Sequence, residues 1–143
     1  MRYKHPVSVL VVIYAQDTGR VLMLQRRDDA SFWQSVTGSL EPGETPAQAA
    51  VREVAEELAI DIPGEQLALE DCQKQIEFEI FPHYRHRYAP EVTHNREHWF
   101  RLALPGEREL RLSEHLAAQW LTPAAAAALT KSWSNRQAIE EFI

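Results

Sequence analysis

Residues 38–60 constrain the fold of this 143-residue chain most strongly, because they predict an amphipathic helix whose apolar side must be covered. Thr45 is placed as the N-cap, Pro46 takes the first helical position, and Gln48 completes a capping box. We expect the helix to run to about Ala59, since proline and glycine follow at 63–64. One apolar stripe is predicted to face the core: Ala47, Ala50, Val51, Val54 and Leu58.

Several β-branched or alternating segments predict a sheet against which this helix can pack. We expect a hairpin of strands at 7–14 and 21–25, a strand at 35–38, and further strands at 67–72, 75–81, 98–104 and 119–121. A short helix follows Thr122 and Pro123, and a last helix is expected with a capping box of Ser134 and Gln137. The pattern indicates one domain, 1–143, of mixed α+β class.

The apolar run at 7–15, preceded by Arg2 and Lys4, has the outline of a secretory signal. Its richness in valine and isoleucine and the turn sequence that follows favour a buried strand instead. No stretch approaches the roughly 20 apolar residues that span a bilayer. With one cysteine, Cys72, the chain forms no disulfide of its own and no thiolate zinc site, and we expect a cytoplasmic location.

The overall charge limits the classes of partner. Fifteen lysines and arginines stand against 21 acidic residues, which gives a formal charge of −6 and disfavours duplex nucleic acid and anionic membranes. We therefore expect no stable nucleic-acid partner and no membrane, and the oligomeric state stays open. The basic and aromatic segment 83–88 fits a single-stranded nucleic-acid contact, a lid over an anionic substrate or a plain surface loop.

Three carboxylates of the predicted helix lean toward one region of space. Glu53 and Glu57 are four residues apart, with Glu56 at their flank. Such like charges cost a few tenths of a kcal/mol, roughly, unless a cation neutralises them. Oxygen ligands without histidine suit Mg²⁺ or Mn²⁺ better than zinc. A solvated acidic face explains an isolated string of this kind, but the turn-rich loop at 38–44 favours the cation.

As one unit, residues 38–60 resemble the Nudix box, G-x5-E-x7-R-E-U-x-E-E-x-G-U, in which U is aliphatic. The resemblance to the Nudix hydrolase family implies an α/β/α sandwich with a mixed central sheet. Ala59 departs from the motif, which has glycine there, and this questions the geometry of the helix C-terminus. The matching residues are Gly38, Glu44, Arg52, Glu53, Val54, Glu56, Glu57 and Ile60.

The resemblance also implies a mechanism. Glu53, Glu56 and Glu57 would hold divalent metal, which neutralises a phosphate chain and lowers the pKa of a water that attacks phosphorus. Arg52 would orient a carboxylate and Glu44 would support the loop. Family members often draw a base or further metal ligand from outside the box. We assign this catalytic and metal role to Glu114, with His115 in reserve.

Segments outside the box resemble the bacterial family members that hydrolyse 7,8-dihydroneopterin triphosphate to the monophosphate and pyrophosphate, a folate-pathway step, with side activity on dATP. Those segments are 6–14, 21–29, 32–39 and 130–140. A triphosphate needs added cations and a bicyclic ring needs aromatic faces, although Ser132 also suits a helix N-cap. The expected substrate-binding residues are Lys4, Arg26, Thr37, Phe78, Glu79, Ile80, Phe81 and Ser132.

Other functions remain compatible with the residues. A general nucleoside triphosphate pyrophosphohydrolase for pool house-cleaning would use the same carboxylates, as would an RNA 5′-end hydrolase. A non-catalytic nucleotide- or RNA-binding domain would not need three converging acids.

Overall fold

The computed structural model describes residues 2–143; Met1, the first residue of the expected domain, lies outside them. A 3₁₀ helix, Pro82–Arg87, separates the fifth and sixth strands, so the basic segment at 83–88 is largely ordered there. The strands are β1 Val7–Ala15, β2 Val21–Arg26, β3 Trp33–Gln34, β4 Val36–Ser39, β5 Leu69–Glu79, β6 His94–Leu104 and β7 His115–Leu121. The α-helices are α1 Pro46–Leu58, α2 Pro123–Leu129 and α3 Trp133–Phe142.

Strand β1 is the centre of a mixed sheet. It pairs antiparallel with β2 and β4 and parallel with β6, and β5 continues the sheet antiparallel to β6. Both β3 and β7 pair with β2. Because β1 is covered on both faces, its side chains form an almost continuous apolar run rather than an alternating one.

Two apolar clusters, one on each face of the sheet, produce the expected α/β/α sandwich. Val9, Val11 and Ile13 of β1 pack with the apolar side of α1. Leu10 and Val12 point the other way and pack with α2 and α3. The α+β class and the layered architecture are therefore confirmed. No helix within residues 2–143 is both long and apolar enough to cross a membrane.

The strand boundaries differ from the sequence expectation where register is irregular. The strands expected at 67–72 and 75–81 are one strand, β5, with a bulge between Asp71 and Gln75 at which Gln73 has a φ of 54°. The strand expected at 98–104 begins at His94, and the one expected at 119–121 begins at His115. Pairing with β5 and β2 extends both strands beyond their apolar cores.

The helix termini confirm one cap and correct another. The capping box of Thr45 and Gln48 is present. The box expected at Ser134 is wrong: Ser132 caps α3, accepting a 3.2 Å hydrogen bond from the Asn135 amide, whereas Ser134 is buried within the helix. At the end of α1, Ala59 adopts the left-handed conformation, with φ 57° and ψ 33°.

The buried side of α1 is rotated relative to the predicted stripe. Ala47 is exposed and Ala49 is buried in its place. Glu53 and Glu57 are buried as well, although their charge predicted a position beside the core rather than in it. The rotation follows from packing α1 against β4 as well as β1, which turns both carboxylates under the sheet.

Candidate active site

A cavity of about 380 Å³ opens beside α3, at the ends of several strands. It collects side chains from the N-terminus, β2, β4, β5, α1 and the loop before β7. Several residues that the sequence analysis singled out line it: Lys4, Arg26, Thr37, Glu57, Phe78, Ile80, Phe81, Glu114 and Ser132.

The environment of Glu57 in this cavity strongly disfavours its ionised form. The residue is 1 % exposed, and neither carboxylate oxygen receives a hydrogen bond from any residue between 2 and 143. Burial, reinforced by the neighbouring Glu53 and by the charge of Glu114, raises the pKa of Glu57 to about 10. A buried carboxyl without donors is costly, and a bound cation would remove that cost.

Glu53 sits directly beneath Gly38 of β4. A Cβ atom at Gly38 would lie 2.2 Å from the Glu53 Cδ atom, so only glycine permits this close approach. Burial also raises the pKa of the Glu53 carboxyl, and the neighbouring Glu57 side chain and then Arg52 oppose that shift. Glycine at position 38 therefore has a steric role here, because it lets a helix carboxylate lie against the strand backbone.

Arg52 organises the carboxylates and the preceding loop. Its guanidinium donates two 2.8 Å hydrogen bonds to Glu44, one of 2.7 Å to Glu53 Oε1 and one of 3.0 Å to the Ser39 carbonyl. The ion pair holds the pKa of Glu44 below its usual range. The contact between Glu44 and Arg52 fixes the loop against α1.

The carboxylate oxygens can act as metal ligands, but they are not already arranged around one point. Among residues 2–143, no three metal-ligating side chains already converge on one point. Arg52 accounts for this, since the same Nη1 atom contacts Glu53 Oε1 at 2.7 Å and Glu56 Oε2 at 3.3 Å. The unpartnered oxygens of Glu57, with Glu53 beside them, nevertheless fit a hard divalent cation.

Glu114 reaches this region from the loop before β7. Ser113 anchors the loop by donating a 2.6 Å hydrogen bond to the Glu56 carbonyl on α1. The neighbouring His115 is buried, its Nε2 atom lies 3.6 Å from Glu57 Oε1, and burial lowers its pKa. The site therefore adds an exposed carboxylate and a neutral imidazole to the helix carboxylates.

A group of cations lines the adjoining wall. Arg26 binds Asp28 through two hydrogen bonds of 2.7 and 2.6 Å and stacks near the rings of Phe32 and Tyr84. Desolvation, followed by the charges of Arg87 and Arg26, lowers the pKa of Lys4. An anionic ligand placed among these cations would relieve their mutual repulsion.

The other wall is aromatic. The Phe78 and Trp133 rings meet edge to face with centroids 6.4 Å apart. Trp133 and Phe81 are about two-fifths exposed at the cavity mouth, while Ile80 is buried. Such surfaces suit the face of a flat ring.

Some predicted residues lie outside the lining, and some lining residues were not predicted. Arg52, Glu53 and Glu56 contact one another behind the wall, and Glu79 is exposed on β5, pointing away from its neighbours Phe78 and Ile80. Tyr84 and Arg87 of the basic segment at 83–88 also line the cavity. The sequence patterns did not point to these further lining residues: Asp28, Gln34, Asn95, Glu97 and Asn135. Asn95, Glu97 and Trp99 occur at every second position of the sequence, which places all three on one face of a strand. This spacing could have predicted that two polar residues face inward beside a tryptophan.

The NUDIX domain model matches residues 4–142. The chain is 71% identical over 141 residues to the dihydroneopterin triphosphate diphosphatase of Escherichia coli strain K12, covering 99% of this chain and 94% of that protein. It is 52% identical over 143 residues to the enzyme of the same name from Haemophilus influenzae, covering 100% and 90%.

A solved structure, that of the E. coli dihydroneopterin triphosphate pyrophosphohydrolase, superimposes with a TM-score of 0.97. Its sequence identity is 70%, and the match covers 100% of this chain and 98% of that one. The sequence and the fold thus agree along the whole chain.

Proposed function

The chain belongs to the Nudix hydrolase family, and from that membership we propose that it is a pyrophosphohydrolase of dihydroneopterin triphosphate. The products are dihydroneopterin monophosphate and pyrophosphate. The observation that carries the proposal is the 71% identity to the E. coli enzyme, which extends over 99% of the chain and therefore includes the cavity walls as well as the Nudix box.

We assign the metal to Glu53, Glu57 and Glu114, with Glu56 at its exposed flank, and Mg²⁺ is our choice, with Mn²⁺ as the substitute. A bound divalent cation neutralises phosphate charge and makes a water molecule more acidic. The buried, donor-free oxygens of Glu57 support the assignment, since they gain a partner when the cation is present. Arg52 orients Glu53 through the 2.7 Å hydrogen bond.

Positive side chains bind the part of the triphosphate that the cation leaves charged. Lys4 and Arg26 line the cavity with their charges already crowded, so a phosphate chain lowers the local electrostatic energy. Glu114 takes the base role because it is exposed beside Glu57, whereas His115 is buried. Residues assigned to the metal, to the phosphates and to the base role thus line the same cavity.

The ring of the substrate occupies the aromatic side. Phe78 and Phe81 cover its faces, and Ile80 supplies an apolar surface beside them. The Thr37 hydroxyl donates to the Val9 carbonyl at 2.9 Å, so it offers the substrate an acceptor. Ser132 caps α3 by accepting from the Asn135 amide, and its hydroxyl lies 3.1 Å from the Ser134 hydroxyl, so it offers the substrate an oxygen at the edge of the cavity.

We place the activity in the cytoplasm, where the free Cys72 stays reduced, and expect no stable nucleic-acid partner for a chain of charge −6.

The test is a comparison of kcat/KM with Mg²⁺ for dihydroneopterin triphosphate, dATP, GTP and ADP-ribose, with detection of pyrophosphate. The proposal expects the pterin substrate to be preferred. Glu57→Gln should lower its turnover by about 100-fold or more while the fold survives, because a neutral amide no longer attracts a cation. Glu140→Gln, an exposed substitution on α3, is the matched control and should leave turnover unchanged.

Two outcomes would contradict the proposal. Equal or better turnover of dATP would indicate nucleotide-pool maintenance. No turnover of any of the four compounds would indicate a binding domain.

A further inference from the structure

Polar side chains form the floor of the cavity, where β6 would be expected to present apolar ones. Asn95, Glu97 and Trp99 alternate along β6 and share the side covered by α3. Asn95 is 3 % exposed and Glu97 is 5 % exposed, and both line the cavity. Phe78 is the strand partner of Asn95, so the aromatic wall and the polar floor adjoin.

This floor has more acceptors than donors. The Trp99 indole donates a 3.0 Å hydrogen bond to Glu97 Oε1, and Asn95 Nδ2 donates one of 2.7 Å to the Ser8 hydroxyl. Asn95 Oδ1 is buried and receives no hydrogen bond from residues 2–143. No lysine, arginine or histidine in that range forms an ion pair with Glu97. A buried acceptor such as Asn95 Oδ1 is normally satisfied, and here a ligand would satisfy it.

The floor lies well away from the helix carboxylates. Glu53 meets β4 at Gly38 on the side of α1, whereas Glu97 is on β6, two strands further along, on the side of α3. Two strand spacings correspond to about 10 Å. A phosphate chain and a ring at opposite ends of one molecule can therefore occupy the two regions at once.

We propose that Glu97 determines specificity by accepting hydrogen bonds from the ring N–H and the adjacent amino group of an amino-keto pyrimidine ring. The proposal rests on the proposed function, because the pterin ring carries that pair of donors on the edge remote from its triphosphate-bearing side chain. Two adjacent donors match the two oxygens of one carboxylate, and Glu97 Oε1 has a second lone pair beyond the one that Trp99 uses.

The electrostatics of the buried Glu97 carboxyl support this assignment. Burial raises the pKa of Glu97 to about 7, even though Trp99 and Ser134 stabilise its ionised form. Two further donors from a ring would complete the environment of the carboxylate. Guanine presents the same donor pair as the pterin, whereas adenine replaces the ring N–H with an acceptor.

The test measures kcat/KM for dihydroneopterin triphosphate, GTP and dATP with wild type and Glu97→Gln. The glutamine keeps the size and the oxygen that accepts from Trp99, but its amide N–H faces the donors of the ring. We expect kcat/KM for the pterin substrate and GTP to fall about 10- to 100-fold, mainly through KM, because the contact is the same in ground and transition states. For dATP we expect no decrease.

The matched control is Glu77→Gln, an exposed glutamate on β5 that does not line the cavity. It should leave the ratio of kcat/KM for the pterin substrate to kcat/KM for dATP unchanged. A loss of equal size for all three substrates in Glu97→Gln would overturn the proposal, because it would show that Glu97 only maintains packing around Trp99.

A binding measurement separates this proposal from the proposed function. Dihydroneopterin without phosphate, titrated in the absence of metal, should bind wild type and lose about tenfold or more in affinity for Glu97→Gln. If wild type hydrolyses the pterin substrate but the variant keeps both the substrate ratio and the binding, the role of Glu97 is refuted and the function stands. If wild type does not hydrolyse the pterin substrate, the proposed function itself fails.

Discussion

Gly38→Ala should lower the activity strongly while changing the free energy of unfolding little. The added Cβ would lie 2.2 Å from Glu53 Cδ and 2.3 Å from Oε1. Ordinary contact begins near 3.4 Å, so the Glu53 carboxylate must move by about 1 Å or more. The backbone at Gly38 is not in the left-handed region, and alanine adopts it without strain.

The cost in stability should be small because the displaced group is the end of a flexible side chain. Weakening the 2.7 Å ion pair between Arg52 and Glu53 costs on the order of 1 kcal/mol, since the pair is partly exposed. Alanine in a strand returns roughly 0.5–1 kcal/mol relative to glycine. We expect the free energy of unfolding to change by less than about 1 kcal/mol.

The cost in activity should be large. A misplacement of about 1 Å in a group that holds the reacting assembly lowers the rate by about 100-fold. The assay is kcat/KM for dihydroneopterin triphosphate at several Mg²⁺ concentrations, with urea unfolding of the same preparations. We expect both a lower rate and a higher Mg²⁺ requirement.

Gly19→Ala provides the opposite pattern as a control. Gly19 has a φ of 73° with no neighbour within 4 Å of an added Cβ, so the change should cost about 1 kcal/mol or more of stability and no activity. Activity of Gly38→Ala within threefold of wild type would refute the reasoning, because it would mean that the position of Glu53 under β4 does not matter.

Two further predictions concern stability alone. Ala59→Gly should raise the free energy of unfolding by about 0.5–1 kcal/mol, since Ala59 holds a left-handed conformation that glycine adopts at lower cost; urea unfolding that shows a loss would contradict this. Because the pKa of Glu97 is raised from its ordinary value of 4.5 to about 7, its contribution to stability is present below pH 4.5 and is lost as the pH rises through 7. As the pH is raised from 4 to 8, the free energy of unfolding of Glu97→Gln, measured with urea, should therefore increase by on the order of 3 kcal/mol relative to that of wild type. A difference between the two proteins that stays the same across this pH range would refute the raised pKa of Glu97.

The helix and its carboxylates were predictable because the interactions that specify them are local. The capping box of Thr45 and Gln48 joins residues three apart, and the contact between Glu44 and Arg52 joins residues eight apart. Motif spacing therefore located the box, its loop and the family. The cap of the last helix was misplaced by two residues, because Ser132 and Ser134 both suit an N-cap and only the path of the chain distinguishes them.

The cavity depended on contacts between residues distant in sequence. Ser113 anchors its loop on the Glu56 carbonyl, 57 residues away, and Glu97 is buried beside Ser8 through the parallel pairing of β1 with β6. No local pattern specifies such a register. The burial of Glu53 and Glu57 likewise depends on how α1 is rotated against β4.

The sequence by itself determined the chemistry that the chain can perform, because residue types and short-range spacing decide which groups share a helix face. Only the tertiary structure decided which of those groups lose their water and which distant residues join them. Burial changes the pKa of a carboxyl and leaves acceptors without donors, and burial is a property of the packed sheet and helices rather than of any segment.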